Sequence, residues 1–162
     1  MARLFPLGLA AVLFLAVPTA AEAQDFRLDE GPRNTVFLEL GGNAFLYSFN
    51  LERRVERWWL RIGGGWAEDT KGDTQGEVWG VPVMVGTLFG TGPHYFEVGA
   101  GVALAKHVDD ETAFLYGTGT IGYRYLNPTS GLMIRAGVAP YFDPTFDEDP
   151  GVWPAVSIGW AW

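Results

Sequence analysis

The chain has 162 residues and no cysteine, which allows one domain of ordinary size and excludes a disulfide-stapled secreted module. Its formal net charge of −8 offers no basic surface for nucleic acid. Glycine (22 residues) and aromatics (15 %) are both abundant, so the smallest and the largest side chains have to be sorted onto different faces.

Residues 1–23 open with Arg3, run apolar from Leu4 to Val17, and end in small residues after Pro18. This is the pattern of a secretory signal peptide cleaved after Ala23, since a spanning helix needs about 20 apolar residues. Residues 24–33 read as a polar periplasmic lead-in and residues 34–162 as the folded domain. From Thr35 onward apolar and polar residues alternate, with turn signals at even spacing and no helical period. The pattern predicts eight strands, at Thr35–Gly41, Ala44–Arg53, Arg57–Trp66, Glu77–Leu88, Tyr95–Ala105, Thr112–Leu126, Gly131–Phe142 and Val152–Trp162.

The connections alternate in character. Glu52–Arg57, Gly90–His94 and Asn127–Gly131 are short, whereas Ala67–Gly76, Lys106–Glu111 and Asp143–Gly151 are longer and acidic. The turn at Gly41–Ala44 falls on the acidic side but is brief. An up-and-down meander of this kind carries loops at one end and tight turns at the other, as bacterial outer-membrane barrels do, with the tight turns in the periplasm.

Sorted by alternation, one face is almost purely apolar, from Val36, Leu38 and Leu40 through Leu60 and Ile62 to Ile134 and Val138. The other carries Ser48, Asn50, Thr118, Thr120 and charged residues, separated by glycine and alanine. A solvent face has no reason to be so small, and an eight-stranded soluble barrel has no room for so many aromatics. The apolar face is therefore expected to meet lipid and the small face to line the lumen, which requires a closed barrel with no free edge. Two aromatic belts agree with that orientation. Trp58, Phe96, Tyr123, Tyr125, Trp160 and Trp162 lie near the short turns; Phe45, Tyr47, Trp66, Trp79, Tyr141, Phe142 and Trp153 lie near the long loops. Pro82 is a misfit, because a closed barrel has no edge strand to host it; a bulge near Val81–Pro82, or a strand that pairs fully only below it, is expected.

The lumen set includes Glu39, Glu52 and Glu97 against Arg61, Arg124 and Arg135. Equal numbers of opposite charge in so narrow a space point to a structural network that plugs the barrel, in preference to a gated conduit. Catalysis has little to stand on. His107 lies beside Asp109 and Asp110, but it is followed by Val108 and Asp109, without the H-x-S arrangement expected of a lipid A deacylase, and Ser48, Ser130 and Ser157 are scattered, the last two toward the periplasmic side. The acidic stretches Asp109–Glu111 and Phe146–Gly151 lack the spacing of a calcium loop, so no metal site and no cofactor are expected.

Three segments carry a resemblance. TVFLELGGNAFLYSFNLERR, with Glu39, Gly41 and Gly42 followed by Tyr47, Ser48, Asn50, Glu52 and Arg53, is similar to the opening of small bacterial outer-membrane β-barrel proteins. GTIGYRYLNP and GLMIRAGVAP resemble later segments of the same group. The architecture resembles the OmpA-like transmembrane domain, without a periplasmic peptidoglycan-binding domain. The resemblance implies an all-β, eight-stranded antiparallel up-and-down transmembrane barrel in the outer membrane, among lipopolysaccharide. It is expected to be a structural or adhesion-type protein rather than an enzyme, with a lipid A-modifying enzyme or a small conduit as the alternatives. The last strand, with Val156, Ile158, Trp160 and Trp162 alternating, resembles the C-terminal signal by which the barrel-assembly machinery recognises its clients, a terminal Phe being more usual. Periplasmic chaperones and that machinery are thus the expected partners during biogenesis.

Overall fold

The computed structural model describes residues 31–69, 76–108, 113–142 and 150–162. The expected signal peptide, most of the lead-in and the middles of the three acidic connections lie outside the described residues. Eight strands follow one another: β1 (Asn34–Gly41), β2 (Tyr47–Val55), β3 (Trp58–Asp69), β4 (Gly76–Thr91), β5 (His94–His107), β6 (Ala113–Leu126), β7 (Leu132–Phe142) and β8 (Gly151–Ala161). Each pairs antiparallel with its neighbour, and β1 pairs with β8, from Thr35↔Ala161 to Gly41↔Ala155, to close the barrel.

Alternation decides the two surfaces. On β2 every second residue is buried, and the intervening Tyr47, Phe49 and Leu51 are exposed. Leu60 and Ile158 are each 58 % exposed, whereas Glu97 is 0 % exposed. The surface is apolar and the interior partly charged, the reverse of a soluble barrel.

The interior is not uniformly small, however. Phe37, Trp59, Met84, Leu88, Tyr95, Leu126 and Met133 form a buried apolar layer toward the short-turn end. A second layer, Val78, Ala103, Ala105 and Tyr116, lies toward the long-loop end. The glycines explain how such bulk fits. A Cβ on Gly86 would come within 2.1 Å of the Trp59 ring, and one on Gly99 within 2.3 Å. The small residues vacate the volume that the indole occupies.

Three local expectations are corrected. Residues Ala44–Leu46 do not belong to β2; they complete a turn in which Gly41, Gly42 and Phe45 all take positive φ. That turn drops into the barrel mouth, burying Asn43 and Ala44 and packing Phe45 against the upper apolar layer. Phe45 is therefore not a member of the exterior belt, and Tyr141, which packs on the same layer, leans over the lumen as well. No bulge forms at Pro82 either, nor is pairing confined to one side of it. β4 pairs with β5 straight through Pro82↔Ala103, while the β3 ladder lapses opposite Gly63 and Gly64 and resumes at Gly65↔Gly80 in unchanged register. Proline has no N–H to give β3, so the ladder is interrupted there rather than shifted. Pro140 does the same to β6, opposite Gly119.

Because the Trp59 seat has no slack, Gly86→Ala is expected to destabilise the barrel by about 1–3 kcal/mol. A lowered urea midpoint for loss of tryptophan fluorescence checks this.

Candidate functional site

The six charged lumen residues converge in a band between the two apolar layers, each on a different strand. Strand pairing sets their rows. Glu52 on β2 stands opposite Arg61 on β3. Glu39 on β1 faces Ser157 on β8, Ser157 faces Arg135 on β7, and Arg135 faces Arg124 on β6. Glu97 enters from β5.

Every charge in the band has an opposite partner. Arg61 Nη2 donates to Glu52 Oε2 at 2.9 Å and to Glu97 Oε1 at 2.6 Å. Arg124 donates to both carboxylates, with Nη2 2.8 Å from Glu52 Oε2 and Nε 2.9 Å from Glu97 Oε2. Arg135 donates from Nη1 to Glu97 Oε1 at 3.2 Å and from Nη2 to Glu39 Oε2. Glu97 thus serves three guanidiniums, and the direct opposition of Arg124 and Arg135 is relieved because each leans toward a different second carboxylate. All six side chains are at most 2 % exposed, so their charges cannot be screened by water and must cancel locally.

The apolar layer below contributes to the band. The Arg61 guanidinium lies 4.3 Å from the Trp59 ring centroid and 5.0 Å from that of Phe37, and Arg135 lies 5.1 Å from Phe37. Among the described residues Arg61 Nη1 has no hydrogen-bond partner, and the π faces beside it contribute cation–π stabilisation.

Above the band, the inserted turn acts as a cap. The Asn43 backbone N–H donates to Glu39 Oε1 at 3.1 Å, and its side-chain amide donates to Gly119 O at 2.7 Å. Gly119 stands opposite Pro140, which has no N–H to offer, so the Asn43 amide supplies the donor that the ladder lacks. Tyr116 Oη donates to Asn43 O at 2.8 Å and holds the turn from the β6 side.

Sequence reasoning did not single out Asn43, nor Ser157 as a member of this set. Ser157 is buried in the lumen rather than toward the short turns, and its hydroxyl donates to Glu39 Oε2 at 3.2 Å. The signal for Ser157 was available, since it lies on the lumen-facing set of its strand. Arg54 was missed too: it shares the parity of Glu52, is buried, and donates to Pro32 O at 2.6 Å. His107 is not part of the charge band; its ring lies 5.4 Å from Phe114 near the long-loop end. Ser130 is at the opposite end, and Ser48 Oγ accepts from Asn50 Nδ2 inside the lumen at 2.8 Å. Among the described residues no group of three or more acidic, histidine or cysteine side chains is arranged to hold a metal ion.

No protein-family model matches the chain, and no curated protein matches it in sequence. Among solved structures it is similar to Neisserial surface protein A, with a TM-score of 0.60 and 10 % identity over 80 % of this chain and 95 % of that one. It is also similar to the N-terminal β-barrel domain of Pseudomonas aeruginosa OprF, with a TM-score of 0.58 and 13 % identity over 82 % of this chain and 100 % of that one. The fold is the eight-stranded, closed antiparallel barrel of small outer-membrane proteins.

Truncating the shared carboxylate should be the most damaging single change in the band. Glu97→Ala is expected to cost about 3–5 kcal/mol, because it takes one carboxylate from three buried guanidiniums at once and leaves a buried positive charge uncompensated. Glu39→Ala should cost less, since Arg135 keeps Glu97. Thermal unfolding of the folded protein in detergent gives the ranking, and equal or negligible losses would contradict it.

Proposed function

We propose that this chain is an exported, structural or adhesion-type protein of the bacterial outer membrane, embedded among lipopolysaccharide with its acidic connections outside. One observation carries the reading: the apolar side chains are exposed around the whole barrel while buried ions and aromatics fill the lumen. An exterior of exposed Leu, Ile, Val and Trp suits lipid, and a closed barrel is the β architecture that leaves no unpaired edge there. A lumen occupied by two apolar layers and a neutral charge band supports a plugged scaffold for loops in preference to a pore. In this reading Glu39, Glu52, Glu97, Arg61, Arg124 and Arg135 are structural residues, no catalytic group is assigned, and no metal or cofactor is required.

Export begins with residues 1–23, removed after Ala23, and continues through periplasmic chaperones to the barrel-assembly machinery. Val156, Ile158, Trp160 and Trp162, which all point outward at the end of the chain, serve as the assembly signal.

Cell fractionation with electrophoresis of unheated and heated samples tests the proposal. The protein is expected in the outer-membrane fraction, with a mobility that changes on heating; a soluble protein of unchanging mobility would refute it. Deleting Trp162 should lower the heat-modifiable fraction several-fold, and undiminished insertion would remove the signal role from that residue.

A further inference from the structure

The lower apolar layer is dry although it lies at the end of the barrel. Trp59, Tyr95, Leu126, Met133 and Ala161 each sit within two residues of the short-turn end of their strand, and none is more than 3 % exposed. Water would reach that layer through an open mouth, so the mouth has to be covered. Arg54 is the last inward residue of β2 and is 2 % exposed. Its guanidinium reaches down to the rim, where Nη1 donates to Glu56 O of the β2–β3 turn at 3.0 Å and Nη2 donates to Pro32 O at 2.6 Å. A carbonyl bonded by a lumen side chain faces the mouth, so the chain at Pro32 bends inward over it.

This stretch stands outside the ladder that closes the barrel. As far as Arg33 the chain is bonded on both sides: its N–H donates to Trp162 O at 3.0 Å, and its carbonyl accepts from the Arg54 backbone N–H at 2.7 Å. Pro32 has no N–H with which to continue that ladder, and its carbonyl goes to the Arg54 side chain instead. Beyond it there is space. Gly31, Pro32 and Arg33 form one wall of an open cavity of about 510 Å³, with Asn34, Arg53 and Trp162 on the outer surface as the rest. The chain at Pro32 can therefore swing outward without parting β1 from β8.

We propose that residues 31–33 are a strap across the short-turn mouth of the lumen, latched by Arg54, an inference that rests on the fold and not on the membrane reading above. Unlatching admits water and small solutes to the lower apolar layer while the barrel stays closed. Arg54 suits a latch because a planar guanidinium bonds two carbonyls at once, and its charge makes each bond stronger than a neutral one.

Methionine oxidation tests the strap, because Met84 and Met133 are the methionines of the barrel, both belong to this layer, and attack follows exposure. Met133 lies beside the mouth, whereas Met84 is deeper, opposite Arg61. The chain refolded in an uncharged detergent is treated with dilute hydrogen peroxide, and peptide mass spectrometry reads each sulfoxide; heat-dependent mobility shows that each variant is folded. Both methionines should resist in wild type. Arg54→Ala should speed oxidation of Met133 about tenfold or more, the factor that one hydrogen bond to a charged donor represents, with a smaller rise at Met84. Arg54→Lys keeps the charge but cannot span both carbonyls; it should fall between, and it is the variant to read if Arg54→Ala does not fold. Arg53→Ala, on the outer face of the same strand, should change neither rate. Rapid oxidation of Met133 in folded wild type overturns the strap, as does an unchanged rate in a folded Arg54 variant. An equal rise at both methionines, or an effect of Arg53→Ala as large, means general loosening and overturns it too. Should the protein prove soluble, the membrane reading fails and the same oxidation assay in buffer still decides the strap.

Discussion

Six ionised side chains are enclosed where water cannot reach them, and their charges have to cancel there. An unpaired buried charge costs several kcal/mol, a large fraction of what holds a domain of this size together. Cancellation depends on strand register. Glu52 meets Arg61 because β2 and β3 are paired at that step, and the Glu39–Ser157–Arg135–Arg124 row exists because β1, β8, β7 and β6 are paired at theirs. A slip of one residue in any of the six strands that carry these groups would turn its charge to the outside and leave its partners uncompensated. The charge band and the barrel geometry are thus one constraint, which the apolar exterior reinforces because the same slip would bury its leucines and expose its ions.

Volume is distributed around that constraint. The two apolar layers exclude water from the band, and each is made possible by residues with little or no side chain. Trp59 can lie beneath Arg61 because Gly86 and Gly99 leave the opposite wall bare. On the upper side Gly80 leaves room for the Phe45 ring, which its own Cβ would approach within 2.8 Å. The inserted turn then satisfies two needs that come from different parts of the chain, a donor for Glu39 and a donor for the Gly119 carbonyl left without a partner by Pro140. Interior prolines are tolerated because their cost is local. Each interrupts one ladder over a pair of residues and leaves the register on both sides intact.

Most of the architecture was legible in the sequence because a period of two is a strong signal when one face is apolar. The eight strands, the alternation of long and short connections and the identity of the outward face all follow from it. The content of the lumen was only half legible. Phe37 and Trp59 share the faces of Glu39 and Arg61, so alternation assigns them inward, yet the glycine and alanine that dominate those faces give no sign that two large rings lie among them. Which carboxylate meets which guanidinium depends on pairing between strands distant in the chain, information that no local pattern contains. The fate of Asn43 to Phe45 was least accessible. Its conformation needs a positive φ at a phenylalanine, which local propensity disfavours and which the packing of that ring over the lumen imposes.

The long reach of the charge band bears on how the protein is made. Seven of the eight strand pairings join neighbours in sequence and can form as successive hairpins. Glu39, by contrast, is neutralised by Arg135, 96 residues away, and is bonded by Ser157 from 118 residues away. Until β1 finds β8, Glu39 lacks both Arg135 and Ser157 and keeps only the Asn43 N–H of its own turn, so its charge has to be solvated by water and a sheet that has not yet joined must keep its concave side wet there. Dehydration of the lumen and closure of the barrel are therefore a single late event. An assembling chain is held open by the hydration of its own ions until both ends are in place.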